Sequence, residues 1–197
     1  NQGKKSHKDV EAVIMHCFNK YTSITATKAK PFVGGKQADI HFTGVNDVDS
    51  PDPRDWYIDV TSTNPLGLSN LEMMARSARK QNHPRGARDD PRNKTLTSAA
   101  VAEAKKLDKY VELCRDQRAR FNAFAMETTG GHGVSTRAIY GLFEKHIRDG
   151  GLPAEVLLRK FKKEIAFALR NGTIAQVTTA LDCAKRAVED ELAAQAA

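Results

Sequence analysis

Gly35-Lys36-Gln37-Ala38-Asp39-Ile40-His41-Phe42-Thr43 and Trp56-Tyr57-Ile58-Asp59-Val60-Thr61 stand on either side of a Pro- and Asp-rich segment, Asp47 to Asp55. Each stretch sets one carboxylate among apolar and β-branched neighbours, the signature of a strand. Side chains alternate across a strand. Ala38, Ile40 and Phe42 are therefore expected on one face with Asp39 and His41 on the other, and Trp56, Ile58 and Val60 opposite Tyr57, Asp59 and Thr61. Paired as a hairpin across the intervening turn, the strands bring Asp39 and Asp59 to one side of a sheet, where carboxylates can hold a hard divalent cation.

Working outward, Ser6 is placed to cap a helix over about His7 to Lys20, whose stripe is Val10, Val13, Ile14, Cys17 and Phe18. Glu11 lies off the centre of that stripe, and His7 precedes it by one turn. On spacing alone Glu11 reads first as an exposed helix-surface acid. Residues 21–37 read as a short strand or loop, made basic by Lys28, Lys30 and Lys36.

Downstream, Asn64-Pro65 closes the second strand, and Ser69 opens a helix bearing Leu71, Met74 and Ala78. Then follows a basic run with Arg76, Arg79, Lys80, Arg85, Arg88, Arg92 and Lys94, broken by Pro84, Gly86 and Pro91. A loop in contact with a phosphate backbone and a merely solvated loop both fit this run. A helix from Thr97 or Ser98 to about Arg118 carries Lys106 and Lys109 three apart, so both ammonium groups can face one way. Phe121 to Thr129 is a third strand candidate, closed by the tight turn Gly130-Gly131-His132-Gly133. Three helices end the chain: Ser135 to Asp149, Pro153 to a stop at Asn171-Gly172, and a last one spanning Ile174 to Leu192.

The chain has 197 residues, 40% of them hydrophobic and 28% charged, enough for one domain with a real core or one domain with a helical appendage. A net charge of +7 favours an anionic partner such as nucleic acid. The three cysteines, Cys17, Cys114 and Cys183, form no CxxC pair, which argues against a zinc cluster or disulfide scaffold and for a reducing, intracellular setting. No apolar run is long enough to span a membrane, so none is expected as a partner. The absence of Met before Asn1 is read as a processed product or an excised domain. HExxH and GxSxG are missing, so the zincin and serine-hydrolase readings fit less well.

Taken in order, the helix with Glu11, Lys36-Gln37-Ala38-Asp39, Ile58-Asp59-Val60-Thr61, Lys106-x-x-Lys109-Tyr110 and the Phe121–Gly131 stretch resemble the restriction-like endonuclease domain of reverse-transcriptase-bearing non-LTR retrotransposons. More broadly they resemble the PD-(D/E)xK nuclease superfamily. The resemblance covers roughly residues 7–133. It implies an α/β fold with a mixed β-sheet between helices over residues 1–133, and residues 134–197 are left as a helical extension packed on that core. It also implies a nuclease of the hydrolase class that cleaves phosphodiester bonds with Mg2+ or Mn2+. By the same resemblance, Glu11, Asp39, Asp59 and Val60 would hold the metal, and Glu11, Asp39, Asp59, Lys106 and Lys109 would be catalytic. Ala38 stands where the family carries proline, and Thr61 where the common pattern carries lysine. In the retrotransposon branch that lysine has moved to the following helix, and Lys106, Lys109 and Tyr110 stand in that arrangement.

Lys36, the basic run from Arg76 to Lys94 and Tyr110 are the candidates for touching nucleic acid, with DNA the first substrate and RNA an alternative. A reverse transcriptase, or other domains of a larger polypeptide, would be the protein partner, in a nuclear setting. Two further functions fit the same residues: a nucleic-acid-binding module that kept the scaffold without turnover, which Thr61 leaves open, and a domain docking a larger assembly through its C-terminal helices.

Overall fold

A computed structural model of the chain describes residues 2–32, 35–45, 54–63 and 97–196. In order these form α1 (Gln2–Tyr21), β1 (Thr25–Lys28), β2 (Ile40–Val45), β3 (Arg54–Thr63), α2 (Ser98–Asp116), β4 (Arg120–Glu127), α3 (Val134–Asp149) and α4 (Ala154–Ala196). The four strands make one mixed sheet in the order β1-β2-β3-β4. β2 runs antiparallel to both β1 and β3, and β4 lies parallel to β3, with α2 between them in sequence. The fold is thus the expected mixed sheet flanked by helices, with a C-terminal helical region. The helix expected after Ser69 and the basic run from Arg76 to Lys94 lie outside the described residues.

Alternation along β3 sorts the sheet into two faces. Trp56, Ile58 and Val60 point into the larger core, where Val10, Ile14 and Phe18 of α1, Phe143 of α3 and Phe161 of α4 meet them. Phe18 is the hub, its ring lying 4.3 Å from Phe42, 5.1 Å from Phe143 and 6.0 Å from Phe161. The other face is covered by α2, through Tyr110 and Cys114 against Phe32, Phe121 and Ala123. β4 is buried from Phe121 to Glu127 because helices cover both of its sides.

Three expectations are corrected here. The first helix begins at Gln2, so Ser6 lies within it and does not cap it. Ala38 does not share a face with Ile40 and Phe42 but packs with Tyr110 and Cys114, because regular strand pairing begins only at Ile40 and strict alternation does not reach back past Asp39. Gly44, at φ +76°, occupies the irregularity between Phe42 and Val45, a conformation glycine takes without steric cost. The stop expected at Asn171-Gly172 is also absent: α4 runs unbroken for 43 residues. One glycine inside a helix costs only about 1 kcal/mol, and the apolar spacing of α4 stays in phase across it.

Candidate metal centre

His7 and Glu11 lie one turn apart on α1 and therefore on one face. Glu11 is buried on that helix, while Asp39 reaches the same point from the chain entering β2. The backbone fixes Asp39 firmly: its N–H donates to the Ile58 carbonyl at 3.0 Å, its carbonyl accepts from Ala29 N–H at 3.2 Å, and its Oδ2 accepts from Val60 N–H at 2.6 Å. His7 Nε2 stands 2.7 Å from Glu11 Oε1 and 3.1 Å from Asp39 Oδ1. Ligand-capable atoms of His7, Glu11 and Asp39 all lie within 4.8 Å of one another, so the three side chains can hold a metal ion. Lys28, at the end of β1, forms an ion pair with Glu11 Oε2.

Asp59 is buried on β3, next to the residue whose N–H holds Asp39. Its Oδ2 lies 2.7 Å from Lys106 Nζ. Burial pushes the Asp59 carboxyl above the usual aspartate range; Lys106 opposes the shift and the Asp39 charge adds to it. Tyr110 closes this side. Its hydroxyl donates to the Gln37 carbonyl at 2.7 Å and accepts from Lys109 Nζ at 2.7 Å. Burial first, and the Asp59 charge second, push its phenol up to about 12.

The structure therefore brings Glu11 and Asp39 together with His7, and sets Asp59 beside them on Lys106. Asp59 is outside the His7–Glu11–Asp39 cluster, and Val60 enters through its N–H, which orients Asp39. Lys106 contacts the Asp59 carboxylate and Lys109 the Tyr110 hydroxyl beside it. Lys36 is exposed beside the turn that closes on Phe32. Arg76, Arg79, Lys80, Arg85, Arg88, Arg92 and Lys94 lie outside the described residues.

No protein-family model and no curated protein matches this chain. The geometry alone therefore carries the site. What sequence reasoning passed over is His7 as a ligand. The signal was present, since a histidine four residues before a glutamate shares its helix face, but placing the helix start at Ser6 put His7 at a terminus. The donor set, two carboxylates and one imidazole, fits a divalent cation, with the carboxylates suited to Mg2+ or Mn2+ and the imidazole to transition metals.

The glycine turn after β4 has a structural task. A side chain at Gly131 would collide with Glu127, and one at Gly133 with Glu103. Glu127 accepts from Ser98 Oγ at 2.9 Å and Ala99 N–H at 3.3 Å at the start of α2. Glu103 accepts from Ser135 N–H at 2.8 Å and from its hydroxyl at the start of α3. Both buried glutamates are helix caps.

Proposed function

We propose that the chain is a metal-dependent endonuclease domain that cleaves DNA phosphodiester bonds, nicking target DNA for an associated reverse transcriptase. The supporting observation is the convergence of Glu11, Asp39 and His7 beside the Asp59–Lys106 pair at 2.7 Å. A divalent cation at the cluster would offset charge on the phosphoryl oxygens and lower the pKa of a bound water. Asp39 would be held for that task by the Val60 N–H and the backbone bonds on either side of it. Lys106 would hold Asp59 in place and set positive charge near the attacked phosphate, where it favours the more negative transition state. Tyr110, its hydroxyl held by the Gln37 carbonyl, is buried beside Asp59. The net charge of +7 supports a polyanionic substrate, with affinity falling as salt rises.

The test is plasmid nicking at low salt with Mg2+ or Mn2+, with the intact chain beside Asp39→Ala and Lys106→Ala. The expected result is metal-dependent nicking, reduced at least about 100-fold in either variant. An intact chain that binds DNA but nicks under neither metal overturns the proposal and leaves the non-cleaving binding module in its place.

A further inference from the structure

Of the three residues in the His7–Glu11–Asp39 cluster, Glu11 alone is buried, and its two carboxylate oxygens are held differently. Oε1 lies 2.7 Å from His7 Nε2. Oε2 is out of contact with water and accepts no hydrogen bond of ordinary geometry; the Lys28 ammonium stands against it as its ion-pair partner. A buried carboxylate without a positive partner is costly, so Lys28 has a task before any metal binds.

Lys28 is also built to leave. Its backbone is fixed on β1, opposite Ile40 and one residue before the Ala29 N–H that donates to the Asp39 carbonyl. Yet β1 is an edge strand of the sheet, and the Lys28 side chain is 58% exposed. An ion pair made by so exposed a lysine contributes little, because solvent screens it and a long side chain gives up rotamer freedom to make it. Lys106 differs on both counts: its side chain is 30% exposed, and the acid it holds, Asp59, lies outside the cluster. At Glu11, then, an ammonium and a divalent cation compete for one carboxylate, since the two like charges repel. Once off Glu11, the Lys28 ammonium stays tethered beside the cluster and faces solvent, where a nucleic-acid phosphate would meet it.

We propose that Lys28 is a displaceable counter-ion: it holds Glu11 until a divalent cation binds and then turns to a phosphate of the nucleic acid, a step that rests on the endonuclease reading. Metal and nucleic acid would then bind cooperatively, each strengthening the other by the same factor. The test uses the full chain, Mn2+ as the cation and Lys28→Gln, which removes the charge and keeps a donor for Glu11. Calorimetric titration is expected to show Mn2+ binding at least about 3-fold tighter in Lys28→Gln, because a competing cation is gone. Equal or weaker binding, the mark of a merely structural ion pair, overturns the proposal. In the unaltered chain, acylation of the Lys28 amine, read by peptide mass, is expected to rise at least about 3-fold at saturating Mn2+, with exposed Lys105 of α2 as the unchanged reference. No rise while Mn2+ is bound also overturns it. Anisotropy of a short fluorescent DNA duplex, read before cleavage accumulates, is expected to show Lys28→Gln weakening binding at least about 3-fold more with Mn2+ than without. An equal loss in both conditions overturns the phosphate contact. If all three results hold and the unaltered chain nicks no DNA, the endonuclease reading alone falls.

Discussion

Asp59 is a charged group placed where water cannot fully solvate it. Because burial raises its pKa, the folded chain binds a proton more readily than the unfolded chain between the ordinary aspartate value of 3.8 and the raised folded value. The contribution of Asp59 to stability is therefore most favourable at and below the lower limit and is lost as pH rises through the folded pKa. Asp59→Asn, which removes the charge while Lys106 keeps partial access to solvent, is expected to stabilise the fold by about 1 kcal/mol at pH 7. Urea unfolding across pH should show that advantage shrinking on acidification; an advantage that grows as pH falls would contradict the assignment. Asp59 was legible in the sequence because strand alternation is a local property, readable from a few neighbours; Asp39 stands before regular pairing begins at Ile40, and it meets His7 and Glu11 of α1 while Asp59 meets Lys106 of α2. The pairing of Asp59 with Lys106 was not, since it depends on where α2 crosses the sheet.

At the scale of elements, the start of α3 depends on a side chain from α2. Gly133 has no side chain to cap the helix, and Glu103 takes that role through Ser135. Glu103→Ala should cost about 1–2 kcal/mol, and Gly133→Ala a similar amount, because its Cβ takes the space Glu103 occupies. The two changes remove the same contact, so a double-mutant cycle should find the pair less costly than the sum of the singles. Strict additivity would mean that the glycine serves some other end. Spacing revealed α1, β2, β3 and α3 well, since each has an apolar face of the right period. It failed at Gly172, where a stop signal was outweighed by an apolar pattern continuing through it, and at Ser6, where polar residues before the apolar stripe extend α1 by another turn.

Over the whole molecule, the two faces of the sheet do different work. One is filled by α1, α3 and the first half of α4, and the other carries α2 and the Asp59–Lys106–Tyr110 group. Phe161, fully buried among Phe18, Tyr140 and Phe143, ties α4 into the larger core. Phe161→Ala should cost about 3–5 kcal/mol, read as a lower urea midpoint with an unchanged slope. A loss below about 1 kcal/mol would show α4 to be peripheral to that core. None of the described helices is long and apolar enough to cross a membrane. The His7–Glu11–Asp39 cluster lies where the beginning of α1 meets the entry to β2, so the core that positions α1 also sets the distance from Glu11 to Asp39.

The most direct test of this account is calorimetric titration of the chain with Mn2+, compared with Asp39→Ala and His7→Ala. The account predicts one saturable site on the intact chain, at least about 10-fold weaker in each variant. Binding unchanged by both substitutions, or no binding to the intact chain, would contradict it.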